Sequence, residues 1–246
     1  MQDAVAAGED GAVLVVAAAD QADQIGMHHD GMHFFPIDGQ RGGGHKSDHG
    51  LLVLNHEYID APLLHPNGPT VVDGKRTVAE EVRKEINAHG VTIVEIRRDR
   101  FGDWQVVPGR FNRRVTAATP MQMVGPARGH ASMKTAADPA GIEVLGTFQN
   151  CANGMTPWGT YLTCEENWAL LFVNRDQRMP REHRRYSVSD FNSIMHWETA
   201  ARQDQVLARF DASAVAETAE QDFRHEPNTF GWIVEIDPFN PGSVPV

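Results

Sequence analysis

The chain has 246 residues, two cysteines and a formal net charge of −11. An acidic field of that size repels nucleic acid and anionic membranes, and no basic stripe interleaved with aromatics offsets it. No apolar run approaches the ~18 residues that cross a bilayer, and Met1 to Asp10 has neither the basic start and apolar stretch of a signal peptide nor a twin-arginine pair.

Glycine and proline (22 and 14) punctuate short apolar runs, a texture of many turns between short strands. Gly11 to Ala19 (GAVLVVAAA) reads as a buried strand. Gln40 to Gly50 (QRGGGHKSDHG) reads as a flexible connection, because it lacks the spacing and ending of a phosphate-binding P-loop. Gly50 to Asn55 (GLLVLN) is a second strand, with Leu51 to Leu54 buried on both faces. Thr77 to His89 is the one clear helix. Thr77 and Glu80 match a capping box, Val78, Val82 and Ile86 recur every four residues, and Gly90 supplies the stop. Glu81 and Glu85 fall on its polar side and are expected to face solvent.

Val91 to Arg97 and Trp104 to Val107 form a hairpin around Arg98 to Asp103. Further strands are expected at Ile142 to Phe148, Thr160 to Cys164 and Gly231 to Ile236. Between the last two, Ala169 to Asn228 is charged and irregular in pattern, with a helical stretch near Ala212 to Glu220. No internal repeat has a sharp period. Asp237 to Val246 (DPFNPGSVPV) is loop-like, and a strong strand ending there suggests a truncated chain.

Three segments concentrate polar groups beside strands. Asn55-His56-Glu57-Tyr58 leaves GLLVL, and a Glu after such a run is desolvated unless something pairs with it; a metal and an ordinary solvent-facing strand end are both open. Asn150 to Trp168 (NCANGMTPWGTYLTCEENW) is the densest. Cys151 is read as following a strand and preceding a glycine turn, so that its sulfur projects from the strand end. Thiolates favour softer metals such as iron or zinc, and clustered carboxylates favour calcium or magnesium. Glu165 and Glu166 are adjacent on an extended stretch and point to opposite faces. Cys164 reads as a packed small residue, a single disulfide with Cys151 also being open, and Trp158 and Trp168 read as core or rim aromatics. In Trp232 to Asp237, Glu235 and Asp237 share one face with Ile233, a pattern found around polar channels and on half-exposed strands alike. His28, His29 and His33 lack the i, i+4 spacing of a zinc-binding helix. There is no Gly-x-Ser-x-Gly elbow for a serine hydrolase.

The stretches DGMHFFP (Asp30 to Pro36), GLLVLNHEY (Gly50 to Tyr58), ADPAGIEVLGTFQNCANGMTPWGTYLTCEENW (Ala137 to Trp168) and FGWIVEIDPFNP (Phe230 to Pro241) together resemble the PhoX family of alkaline phosphatases. The resemblance implies an all-β fold, a β-propeller of which residues 1–246 form a single, incomplete domain of several blades. The helix near 77–89 is a short insertion in it and the segment near 169–228 an irregular excursion. It implies phosphomonoester hydrolysis through iron and calcium ions, with a metal-bound oxygen species attacking phosphorus. By the resemblance Cys151 is the iron-binding cysteine, and Glu166 and Glu235 are carboxylate ligands. Glu57 is a further ligand, and Asp237 and Glu165 are weaker candidates. Small phosphomonoesters are the implied substrates, with no protein partner inferred, phosphate-contacting residues beyond Val246 and a periplasmic or extracellular location. Two alternatives use similar carboxylates: a calcium-dependent propeller hydrolase of lactones or esters, and a non-catalytic calcium-binding module.

Overall fold

Apolar runs broken by glycine and proline become short strands, and few of the helical turns exceed one or two turns in length. The computed structural model describes residues 17–37, 47–202 and 204–246. In chain order the first elements are α1 (Ala18–Gln21), β1 (His29–Pro36), β2 (His49–His56), α2 (Ala61–Leu64), β3 (Val71–Val72), β4 (Lys75–Arg76) and α3 (Ala79–Ala88). There follow β5 (Gly90–Arg98), β6 (Trp104–Val106), β7 (Arg113–Val115), β8 (Pro120–Gln122) and β9 (Glu143–Leu145). β10 (Asn150–Met155), β11 (Tyr161–Glu165), α4 (Arg181–Tyr186) and β12 (Ile233–Ile236) complete the set.

Two antiparallel sheets carry the architecture. The larger runs β1-β2-β5-β6, with β7 also paired to β5; the smaller runs β10-β11-β12. Leu51, Val53, Val91 and Ile93 of the first pack with Tyr161, Val234 and Ile236 of the second in one core cluster. The alternation that puts Val234 and Ile236 inward leaves Ile233 exposed and Glu235 partly exposed, as period-two strand geometry requires. Two-stranded pairs β3-β4 and β8-β9 stand apart. The fold is thus strand-dominated with few helices.

A second core lies under the irregular segment after β11. Phe172, Trp197 and Phe210 are fully buried there and meet Val82 and Ile86 of α3, Phe148 and Phe230. The segment is built of short 3-10 turns and α4, and its aromatics are spaced too irregularly to announce a buried face. Arg209 is buried among the rings of Phe148, Phe210 and Phe230, 5.2–5.5 Å from their centroids, and faces Glu226 at 3.1 Å.

Several sequence expectations change. The strand read over Gly11 to Ala19 is replaced at its described end by the alanine-rich turn α1, consistent with alanine's helix propensity, while residues 11–16 lie outside the described residues. So does most of the glycine-rich connection, at 38–46. The box of Thr77 and Glu80 does not form: α3 starts at Ala79, Val78 makes no side-chain cap, and Glu80 accepts instead from the Ala18 amide at 3.0 Å. Gly90 does end the helix, at φ +101°, where a Cβ would collide with the Val115 carbonyl. The helix expected near 212–220 is reduced to a 3-10 turn, Ala219–Gln221.

Glu85, expected on the solvated face of α3, is fully buried. Its carboxylate meets Arg76 at 2.5 and 2.8 Å, His65 at 2.8 Å and the Trp197 indole N–H at 2.6 Å. The excursion and the β3-β4 hairpin cover that side of the helix. Burial alone would raise this acid, yet its hydrogen bonds from His65, Arg76 and Trp197 hold it below the usual glutamate range.

Candidate metal centre

Cys151 does not sit after a strand, as expected, but within one. The pairing of β10 with β11 passes from Asn150–Glu165 to Asn153–Thr163, so Cys151 and Ala152 together oppose the single residue Cys164. That is a β-bulge, which breaks the alternation and turns a side chain away from the ladder. β1 carries a second bulge. Its pairing passes from His29–His56 to Met32–Leu54, so Asp30 and Gly31 together oppose Asn55. The two bulges face each other, and the Cys151 thiol donates to Asp30 Oδ2 at 2.8 Å.

Glu57, one residue past the end of β2, completes a compact group. One ligand atom each from Asp30, Glu57 and Cys151 lies within 4.8 Å of the others. Glu166, just after β11, closes on the same thiol and on Glu57. Asp30 and Glu166 are exposed, while Glu57 and Cys151 are partly buried. No ion pair among the described residues engages Asp30, Glu57 or Glu166.

The electrostatics follow. The hydrogen bond to Asp30, partial burial and the nearby Glu166 push the Cys151 thiol up to about 12. Partial burial first, then the charges of Asp30 and Glu166, hold Glu57 above the usual carboxylate range. An acid raised by its acidic neighbours, as Glu57 is, marks a site short of positive charge. The donor set of several carboxylates and one sulfur suits hard and soft cations side by side.

Of the residues singled out from the sequence, Cys151, Glu57 and Glu166 come together. Glu165 points the opposite way from Glu166, as their adjacency requires. Its carboxylate accepts from Thr147 Oγ1 at 2.7 Å and the Gly231 amide at 2.7 Å, pinning the start of β12. Glu235 accepts from Trp158 Nε1 at 2.8 Å and Thr160 Oγ1 at 2.5 Å, beside the β10-β11 turn. Asp237 caps its own turn, taking the Phe239 amide at 2.9 Å. These three lie outside the group around Cys151. Both cysteines are free, and Cys164 is partly buried. Trp168 belongs to the core and Trp158 to the surface. His29 is held by the Gly26 carbonyl at 3.2 Å, and His33 packs on Phe35.

Asp30 was not singled out. It opens the stretch DGMHFFP, and its only local sign is an acid followed by glycine at the head of an aromatic strand.

The family model for alkaline phosphatase PhoX matches residues 3–246. The chain is similar to the solved structure of Pseudomonas fluorescens PhoX in complex with vanadate, a transition-state analogue, with 40% identity and a TM-score of 0.77. The match covers 94% of this chain and 36% of that one, so this chain spans about a third of that protein's length. No curated protein sequence matches it.

Proposed function

The chain belongs to the PhoX alkaline phosphatase family, and from that membership we propose that it forms the metal-holding part of a phosphomonoesterase releasing inorganic phosphate from small organic phosphate esters. The observation that carries this reading is the convergence of Asp30, Glu57 and Cys151 within 4.8 Å, with Glu166 beside them. Iron and calcium are the proposed ions. Cys151 is the soft donor suited to iron, and Asp30, Glu57 and Glu166 are hard oxygen donors suited to either. Glu235, Glu165 and Asp237 enter the ligand set by family resemblance alone, each already engaged by protein groups.

When bound, such cations supply a Lewis acid for the phosphoryl oxygens and lower the pKa of a coordinated water. This chain's residues do the remaining work. The three carboxylates and the Cys151 thiolate carry four negative charges, and bound cations would offset them and draw an anionic phosphate to a site that the bare chain, at −11, would repel. The bulges hold Asp30 and Cys151 in fixed orientation, and the buried strands behind them keep the donors from spreading.

We further read the packed sheets as blades of a β-propeller in one domain, with a periplasmic or extracellular home by family resemblance. No helix among the described residues is long and apolar enough to cross a membrane. A thiol among the carboxylates weighs against a calcium-only hydrolase of lactones or esters, which has no use for sulfur.

The test is elemental analysis of the purified chain with its visible spectrum, followed by hydrolysis of p-nitrophenyl phosphate. Bound iron with calcium and a thiolate-to-iron band supports the reading. Calcium alone, with lactone or ester turnover, moves it to the rival hydrolase, and absence of any metal rejects a site assembled by this chain.

A further inference from the structure

A β-bulge frees backbone carbonyls from the ladder, and buried carbonyls need partners. Both bulges of the site find theirs in one pair of side chains. Asn55, fully buried, is the single residue opposite the bulge of β1. Its Nδ2 crosses to the other bulge and donates to the carbonyls of Cys151 at 2.7 Å and Ala152 at 3.3 Å. The Tyr161 hydroxyl lies 2.9 Å from both Asn55 Oδ1 and the Gly31 carbonyl and shares its single hydrogen between these two acceptors. Tyr161 is fully buried in the core between the two sheets. The amide therefore ties β2 to β10, and the phenol ties β11 to β1, through a single shared contact.

We propose that Asn55 and Tyr161 are positioning residues of the metal centre, which lock the bulges of β1 and β10 face to face and so set the spacing of Asp30 and Cys151. The proposal rests on the metal reading above and adds residues outside the proposed ligand set. Each partner is specific. Asn55 supplies two donors and an acceptor where Asp would offer acceptors alone, and Tyr161 supplies a hydroxyl that Phe lacks. Groups that orient ligands without binding metal commonly govern affinity by about 10–100-fold.

The experiment titrates the full chain, stripped of metal, with Co²⁺, whose thiolate-to-cobalt absorption reports the sulfur donor directly and needs no enzymatic activity. Tyr161→Phe and Asn55→Asp are compared with wild type and with Val82→Ala, a truncation in the other core cluster, which holds neither Tyr161 nor a bulge residue. Near-UV circular dichroism establishes that each variant is folded; Tyr161→Phe, which removes one oxygen, serves where Asn55→Asp fails to fold. The expected result is Co²⁺ binding weakened by about 10–100-fold with a diminished thiolate band in the two site variants, and wild-type binding in Val82→Ala. Wild-type affinity and band in Tyr161→Phe overturn the proposal, as does an equal loss in Val82→Ala, which would make the effect one of general stability. A wild-type chain with no thiolate band rejects the metal reading itself, and the positioning role with it.

Discussion

Gly31 and Cys151 approach so closely that a Cβ added to the glycine would lie 2.6 Å from the cysteine's carbonyl oxygen. It would also meet the Asn153 side chain at 2.8 and 2.9 Å. The obstacle is partly backbone, which cannot swing aside as a flexible side chain can. Gly31→Ala is expected to destabilise the fold by about 1–3 kcal/mol through overpacking and to part the two bulges. Urea unfolding monitored by tryptophan fluorescence measures the first effect. A variant as stable as wild type would mean that β1 and β10 can separate freely.

Cys151→Ser should remove the sulfur donor and leave the fold nearly intact, because the thiol is partly exposed and its neighbours Asp30 and Glu166 can accept from a serine hydroxyl as well. Stability should change by less than about 1 kcal/mol, as is usual for substitutions away from the core. Iron content by elemental analysis should fall to background while calcium persists. Iron retained at wild-type stoichiometry would take Cys151 out of the site.

The buried Glu85 network gives the opposite pattern, large in stability and silent in metal. Arg76→Met leaves a fully buried carboxylate without its strongest partner, and removing one member of such a pair costs about 3–5 kcal/mol. Chemical denaturation should register that loss, and metal content of the folded fraction should be unchanged. A cost below about 1 kcal/mol would show that His65 and Trp197 hold the carboxylate by themselves.

His89 should make the protein acid-sensitive. It is fully buried, edge-on to Trp197 and Phe148, and burial lowers its pKa from 6.5 to about 4. The native state therefore favours the neutral ring. This contribution is complete above the unfolded value of 6.5. It is lost as pH falls towards 4, because the unfolded chain takes up a proton that the native one refuses. The slope amounts to about 1.4 kcal/mol per pH unit within that window. Comparing unfolding free energies of wild type and His89→Leu at pH 6 and pH 5 isolates it. Equal pH slopes in the two proteins would reject the assignment.

What the sequence made legible divides along physical lines. GLLVLN, the helix before Gly90 and the β5-β6 hairpin all obey a simple period or end on a strong stop, so residues 50–55, 79–88 and 90–106 were readable. Glu85 was misplaced because it flanks the stripe of Val82 and Ile86, and only the chain returning as Trp197 decides that this flank is covered. Trp197 and Phe210 belong to 3-10 turns and Phe172 directly follows one, and such irregular spacing carries no helical or strand signature. At the site, Cys151, Glu57 and Glu166 stood out through the PhoX resemblance, since the residues by themselves left Glu165 and Glu166 undecided. Asp30 did not, since a bulge is a break in alternation and becomes visible only when the partner strand shows which residue is the extra one.

Asp30 and Cys151 are 121 positions apart, yet their side chains touch. No short stretch of the chain can prefigure such a meeting, so the cation's donors assemble only after the long loop between them has closed, an entropically slow class of event. At the proposed metal site, ion capture would then be a late step in folding, available to the native state and denied to the unfolded ensemble. Ligation energy is therefore folding energy: a cation at a hundred times its dissociation constant would hold the fold by about 2.7 kcal/mol. If the proposed ions bind there, a cell short of them would lose protein as well as catalysis, because the contact that would seat the ions also keeps the chain from proteases.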